Sequence, residues 1–368
     1  MTRRGGQGPG VCREPKSVLA SRVLASFATK TKALGWMAAL LLSPAVILGG
    51  SRRAGPSFPT LVPGETLLYV LEYRSSIQSQ SAGPIYTAAE AHGLDISVGS
   101  RIRLDVLGVR NDPGQGRLTR LRVTYETCDA RVHSDAYDPG AETLQKEYGD
   151  LRGRWFEFTI DEQGRVRDVV GLDKLEPDEN ARNAIRQWLS TITVPMGLWK
   201  PGLKPGKKWS SEIPLAGIPL AGLAWRTVSS YRDNEPCPPP IGAKPKFPRQ
   251  SCAVITTRLE TVRKGPRGDP TPLAYLRQGL KTSGRWTGSG QSLSYISLSN
   301  GLVFSSTATE NDMVDLTVAS TLSGSRLRYA ARTESRSQIA LISITLPGGS
   351  SHAKHAIGPA PGGEQRHR

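Results

Sequence analysis

Residues 66–74 read TLLYVLEYR, and this stretch decides the fold. Leu67, Tyr69, Leu71 and Tyr73 recur at every second position. Period two puts them on one face of a strand, where a helix would scatter them. The same alternation returns at 101–106, with Ile102, Leu104 and Val106 set against Arg101, Arg103 and Asp105. It returns again with Leu121, Val123 and Tyr125 against Arg120, Arg122 and Glu126. One apolar and one wet face per strand is the pattern of an antiparallel sheet.

Turn signals separate further strands. Trp155–Ile160 and Arg165–Val170 flank Asp161-Glu162-Gln163-Gly164, and Tyr295–Leu298 and Leu302–Ser306 flank Asn300-Gly301, which predicts two hairpins. Strands are also expected near Trp209, at Trp225–Tyr231, Ala253–Val262, Met313–Thr321 and Ile339–Leu346. One segment breaks the rhythm: 176–193, EPDENARNAIRQWLSTIT, has Pro177 and acids in its first turn and apolar residues at Ala181, Ile185, Trp188, Leu189 and Ile192. That spacing predicts a single amphipathic helix laid on a sheet face. The expected fold is therefore mainly β, a β-rich α+β chain: a curved antiparallel sheet or half-barrel with one amphipathic helix packed on it, preceded by an N-terminal apolar helix.

That N-terminal segment, 33–50, reads ALGWMAALLLSPAVILGG and is free of charge. Nine basic residues, Arg3, Arg4, Arg13, Lys16, Arg22, Lys30, Lys32, Arg52 and Arg53, surround it and only Glu14 opposes them. Its length lies between a signal-peptide core and a membrane span, so a cleaved signal and an uncleaved anchor both fit. In either case the denser positive charge before it keeps the N-terminus inside and sends the rest across the membrane. The expected organisation is a disordered basic leader (1–32), the signal or anchor (33–50), a linker (51–63), an exported β-rich domain (64–346) that divides at most into lobes of 64–215 and 216–346, and a disordered tail (347–368). The expected location is extracytoplasmic, in the periplasm or cell envelope, with the membrane as a partner through 33–50 if it is uncleaved.

Half of the formal charge of +16 sits in residues 1–53, and the remaining basic and acidic residues are interspersed along the domain, which argues against a nucleic-acid partner. Cys237 and Cys252 bracket the proline-rich PPPIGAKPKFPRQS and are predicted to form a disulfide, as an exported chain allows.

Catalytic chemistry finds few candidates. The domain holds only His92 and His133; the other three histidines, among them His352 and His355, are in the tail. Cys128, Asp129, His133 and Asp135 lie close in sequence, but a nucleophile and its base usually meet through the fold. GLWKPGLKPGKKWSS lacks the spacing of a phosphate-binding loop, and GSGQS lacks the order of a nucleophile elbow. Asp161, Glu162, Asp168 and Asp173 are expected to be hydrated turn residues, and Trp155, Trp188, Trp209, Trp225 and Trp286 core residues. No catalytic residue, metal ligand or cofactor is expected, and the chain reads as non-enzymatic.

The order of parts resembles a group of uncharacterised bacterial envelope proteins with a curved antiparallel sheet. The resemblance is carried by LVPGETLLYVLEY (61–73), FTIDEQGRVRDVVG (158–171), the helix, VPMGLWKPGLKPGKKW (194–209) and YISLSNGLVFSS (295–306). The architecture is also similar to the half-barrel of lipoprotein carriers such as LolA and LppX, in which helices close an apolar concavity. The resemblance implies an apolar ligand or acyl chain held beneath Ile185, Trp188 and Leu189. The other expectation is a membrane-tethered structural or interaction module that binds envelope proteins.

Overall fold

The structure is a computed structural model that describes residues 61–83, 91–114, 116–135, 139–161, 166–175, 203–215, 218–239, 250–264, 270–298 and 301–347. The chain is mainly β, and one eleven-stranded antiparallel sheet takes in all the strands among the described residues. The leader, the 33–50 segment, the tail and the expected helix at 176–193 with Ile185, Trp188 and Leu189 lie outside the described residues. Among the described residues no helix is long and apolar enough to cross a membrane.

In chain order the strands are β1 (Thr66–Ala82), β2 (Ala91–Asp112), β3 (Gly116–Ser134), β4 (Trp155–Ile160), β5 (Val166–Val170), β6 (Lys208–Pro214), β7 (Leu223–Pro236), β8 (Ser251–Arg263), β9 (Leu280–Ser297), β10 (Val303–Ser320) and β11 (Arg326–Thr345). In space the order is β5-β4-β3-β2-β1-β11-β10-β9-β8-β7-β6. Two meanders therefore meet in the middle, where the first strand pairs with the last from Thr66↔Thr345 to Ala82↔Arg328. Every neighbouring pair is antiparallel, so the two edge strands β5 and β6 point the same way. Strands so oriented cannot be joined by a hairpin.

Several strands run well beyond the alternating stretches. β1 continues through SSIQSQSA, and β9 and β10 are 18 residues each. These extensions are polar on both faces, so periodicity is silent there. In β1 they hold because β2 and β11 pair with it on either side as far as Gln80, so the ladders satisfy its backbone N–H and C=O groups without side-chain burial. The Asn300-Gly301 hairpin is present: Gly301 has φ +72°, its N–H donates to the Ser297 carbonyl at 3.0 Å, and Ser297 N–H donates to Leu302 O at 2.9 Å.

Register explains the core. Leu67 lies opposite Leu104, Leu104 opposite Val123, and Val123 opposite Phe156, a ladder across four strands. With Leu341, Phe304 and Leu302 these residues form the largest apolar cluster. A second cluster, Tyr73, Val98, Ile96 and Cys128, is covered by helix α1 (Pro139–Gly149), which sequence periodicity did not indicate. Ala141 and Tyr148 are its buried contacts, seven residues apart and so on one face. Two short helices, α2 (Leu172–Leu175) and α3 (Leu273–Arg277), complete the described helical segments. Tyr275 of α3 packs with Ile218, Leu220, Val314 and Leu316 at the far end of the sheet. The predicted disulfide is formed: Cys237 and Cys252 have Cα atoms 4.9 Å apart.

Candidate ligand grooves on the open face

The sheet has one covered and one open face. Tyr73, Ser75, Ser337 and Ser229 are buried on the first; Arg74, Arg336, Arg258 and Val228 are exposed on the second. Two grooves of about 640 and 680 Å³ lie along the open face and share Thr309 and Arg336.

The first groove crosses six strands, from Lys208 on β6 to Arg336 on β11. Two register rows build its floor. In one, Arg336 is opposite Thr309, Thr309 opposite Gln291, Gln291 opposite Arg258, and Arg258 opposite Val228. In the next, Thr307 is opposite Leu293, Leu293 opposite Thr256, Thr256 opposite Ser230, and Ser230 opposite Lys208. Val228 and Leu293 supply apolar surface, and Val228 is 45% exposed. Lys208, Arg232, Arg258 and Arg336 supply positive charge, and no carboxylate lines the groove.

The second groove is electrically mixed. Arg74, Arg131 and Arg336 line it together with Asp95 and Glu334. Arg74 and Arg336 stand directly opposite one another on β1 and β11.

The covered face carries a different chemistry. Between its apolar clusters it is floored by small hydroxyl side chains that bond in pairs: Ser229 with Thr257 at 2.8 Å, Ser294 with Ser306 at 2.8 Å, and Ser211 with Thr227 at 2.8 Å. Glu310 and Asp312 of β10 also sit there, Glu310 only 4% exposed. Trp286 Nε1–H donates to Asp312 Oδ1 at 3.2 Å. Burial, reinforced for Glu310 by its neighbour Asp312, pushes both carboxyls above their ordinary range. Gly288 and Gly290 lie opposite Asp312 and Glu310 on β9. A Cβ at Gly288 would collide with the Asp312 carboxylate and the Trp225 ring. The glycines of GSGQS thus make room in mid-strand.

The thiol constellation does not assemble. Cys128 is buried, receives the Ser100 hydroxyl at 3.2 Å, and has its thiol pushed up by burial, whereas His133 is on the exposed face. Asp135 Oδ1 accepts the Gly93 N–H at 2.7 Å. Asp161, expected to be a hydrated turn residue, is instead fully buried directly after β4, with Arg167 Nη2 3.3 Å away. Asp168, also expected in a turn, lies instead inside β5, at the register shift against β4, with φ +50°. Trp225 is in the core as expected, but Trp155 is 38% exposed under the Arg122 guanidinium, 4.8 Å from its ring centroid.

Neither groove was legible in the sequence. Its arginines each read as the wet residue of an alternating strand, and only the register of strands far apart in sequence gathers them. The acid pair did leave a signal: Ala308, Glu310, Asp312, Val314 and Leu316 share one phase, so two carboxyls occupy apolar positions.

No protein-family model matches the chain, and no curated protein matches it. Among solved structures it is similar to lipovitellin, in a structure describing lipid-protein interactions, at 13% identity and a TM-score of 0.42, covering 79% of this chain and 26% of that one. The chain thus spans about a quarter of that protein's length. An outer membrane channel from Pseudomonas putida F1 is more distant, at 8% identity and a TM-score of 0.18, covering 80% of this chain and 100% of that one. Likeness at these levels carries no argument about function.

Proposed function

We propose that the protein is a non-enzymatic binding protein of an extracytoplasmic compartment that takes an apolar ligand or lipid chain on its one large, curved sheet. The observation that carries this reading is the first groove, with Val228 and Leu293 in a space of about 640 Å³. That volume lies within the range of small-molecule sites. The Cys237–Cys252 bridge supports an oxidising compartment. A membrane-tethered interaction module is the second reading, favoured by the edge strands β5 and β6, whose outer sides have no strand partner among the described residues.

Native mass spectrometry of the full chain, released from an envelope fraction in mild detergent, tests the first reading. A bound lipid-sized mass that Val228→Asp removes is the expected result. A bare protein mass that stays bare after incubation with lipid extract would sink it in favour of the module.

A further inference from the structure

Resting on that reading, we infer that the ligand of the first groove is an anionic amphiphile: one chain lies over Val228 and Leu293, and an acidic headgroup is held by the cations around them.

The lining is unbalanced in charge. Lys208, Arg232, Arg258 and Arg336 face the groove without a lining carboxylate. Three other surface arginines of this sheet are neutralised in place: Arg226 by Glu212 and Glu260, Arg328 by Asp315, Arg332 by Glu334. The four groove cations have no ion pair among the described residues. Positive charge is therefore left uncompensated where the sheet also exposes its valine and leucine.

The layout suits one molecule better than a flat surface. Arg258 is next to Val228 in register, and Arg336 lies three strands from Arg258, with Thr309 and Gln291 between them. Hydroxyl and amide donors between two guanidinium groups suit the several oxygens of one carboxylate or phosphate, which arginine binds through paired N–H donors. Adjacent strands are about 4.8 Å apart, so the two arginines bracket a headgroup from a span of about 14 Å. Tyr295 lies outside this lining and no aromatic residue is within it, so the groove lacks the stacking platform that a nucleic acid strand needs.

The test compares three ten-carbon probes on the purified full chain by isothermal titration below their micellar concentrations: decanoate, decyl phosphate and decan-1-ol. Both anions are expected to bind at least about ten-fold more tightly than the alcohol, as charge-assisted hydrogen bonds imply. That advantage should shrink at high salt and vanish in Arg258→Gln/Arg336→Gln, whose circular dichroism should match the parent. Equal binding of anions and alcohol would overturn the inference while leaving the apolar-ligand reading in place. Loss of all three probes' binding to the parent protein would remove that reading itself. An anion preference that survives in the double variant would overturn the assignment to this groove.

Discussion

Arg74 on β1 and Arg336 on β11 face each other directly across the central seam of the sheet. Like charges opposite one another destabilise a strand pair by a few tenths of a kcal/mol, up to about 1 kcal/mol. Arg74→Thr should therefore raise the melting temperature in low salt, and the gain should shrink near 1 M salt as screening removes the repulsion. Thermal melts at two ionic strengths check this, and a lower melting temperature at both would contradict it.

Burial of Glu310 and Asp312 makes stability depend on pH in a definite direction. Their folded-state carboxyls titrate above the unfolded range, so their protonated forms favour the native state below about pH 4, and this support is lost as pH rises through the folded values. Glu310→Gln should stabilise the protein at neutral and alkaline pH, by about 2–4 °C for each 1 kcal/mol relieved, and do little in acid. Melting curves between pH 4 and 9 give the comparison.

Glu157 carries the opposite sign. Its side chain is 8% exposed, and both oxygens are clasped, Oε2 by Arg120 Nη2 at 2.6 Å and Oε1 by Arg122 Nη2 at 2.6 Å. Burial pulls its carboxyl upward, but the two guanidinium groups outweigh it and hold it below its ordinary range. Its contribution is present above about pH 4.3 and is lost as pH falls through the depressed folded value. Glu157→Gln should cost about 1–3 kcal/mol near neutrality and progressively less in acid. Urea melts at pH 7 and pH 3 separate these cases.

Reducing the Cys237–Cys252 bridge frees a loop with a sequence separation of 15. Loss of that constraint should cost about 3 kcal/mol, read as a lower melting temperature in dithiothreitol. The Cys237→Ser/Cys252→Ser variant should show the same lowering without reductant.

Mid-strand glycines should differ sharply. Gly288→Ala places a methyl against Asp312 and Trp225 and is expected to destabilise by about 1–3 kcal/mol. Gly99→Ala meets nothing within 4 Å and should be nearly neutral. Chemical denaturation of the two variants makes the contrast.

Where a strand alternates cleanly the sequence was sufficient. Leu67, Leu104 and Val123 announced both their strands and their face, and the Cys237–Cys252 spacing announced its bridge. Helix α1 was missed because its buried contacts, Ala141 and Tyr148, are few among PGAETLQKEYG. The serine-rich halves of β1, β9 and β11 were missed because their pairing is held by backbone hydrogen bonds that no side-chain pattern records. Charge along the chain also misled: it reads as an even scatter, yet strand register draws Lys208 and Arg336 into one groove from positions 128 residues apart.

The meeting of β1 and β11 has a consequence for biogenesis. The middle of this sheet is sewn by the first and the last of the described strands, so its largest non-local step waits until β11 has been synthesised. Until then each meander offers a bare inner margin to whatever chain is nearby. A stop codon just before β11 would leave β1 and β10 as two long unpaired borders, and such a product is destined for aggregation more than for a smaller fold.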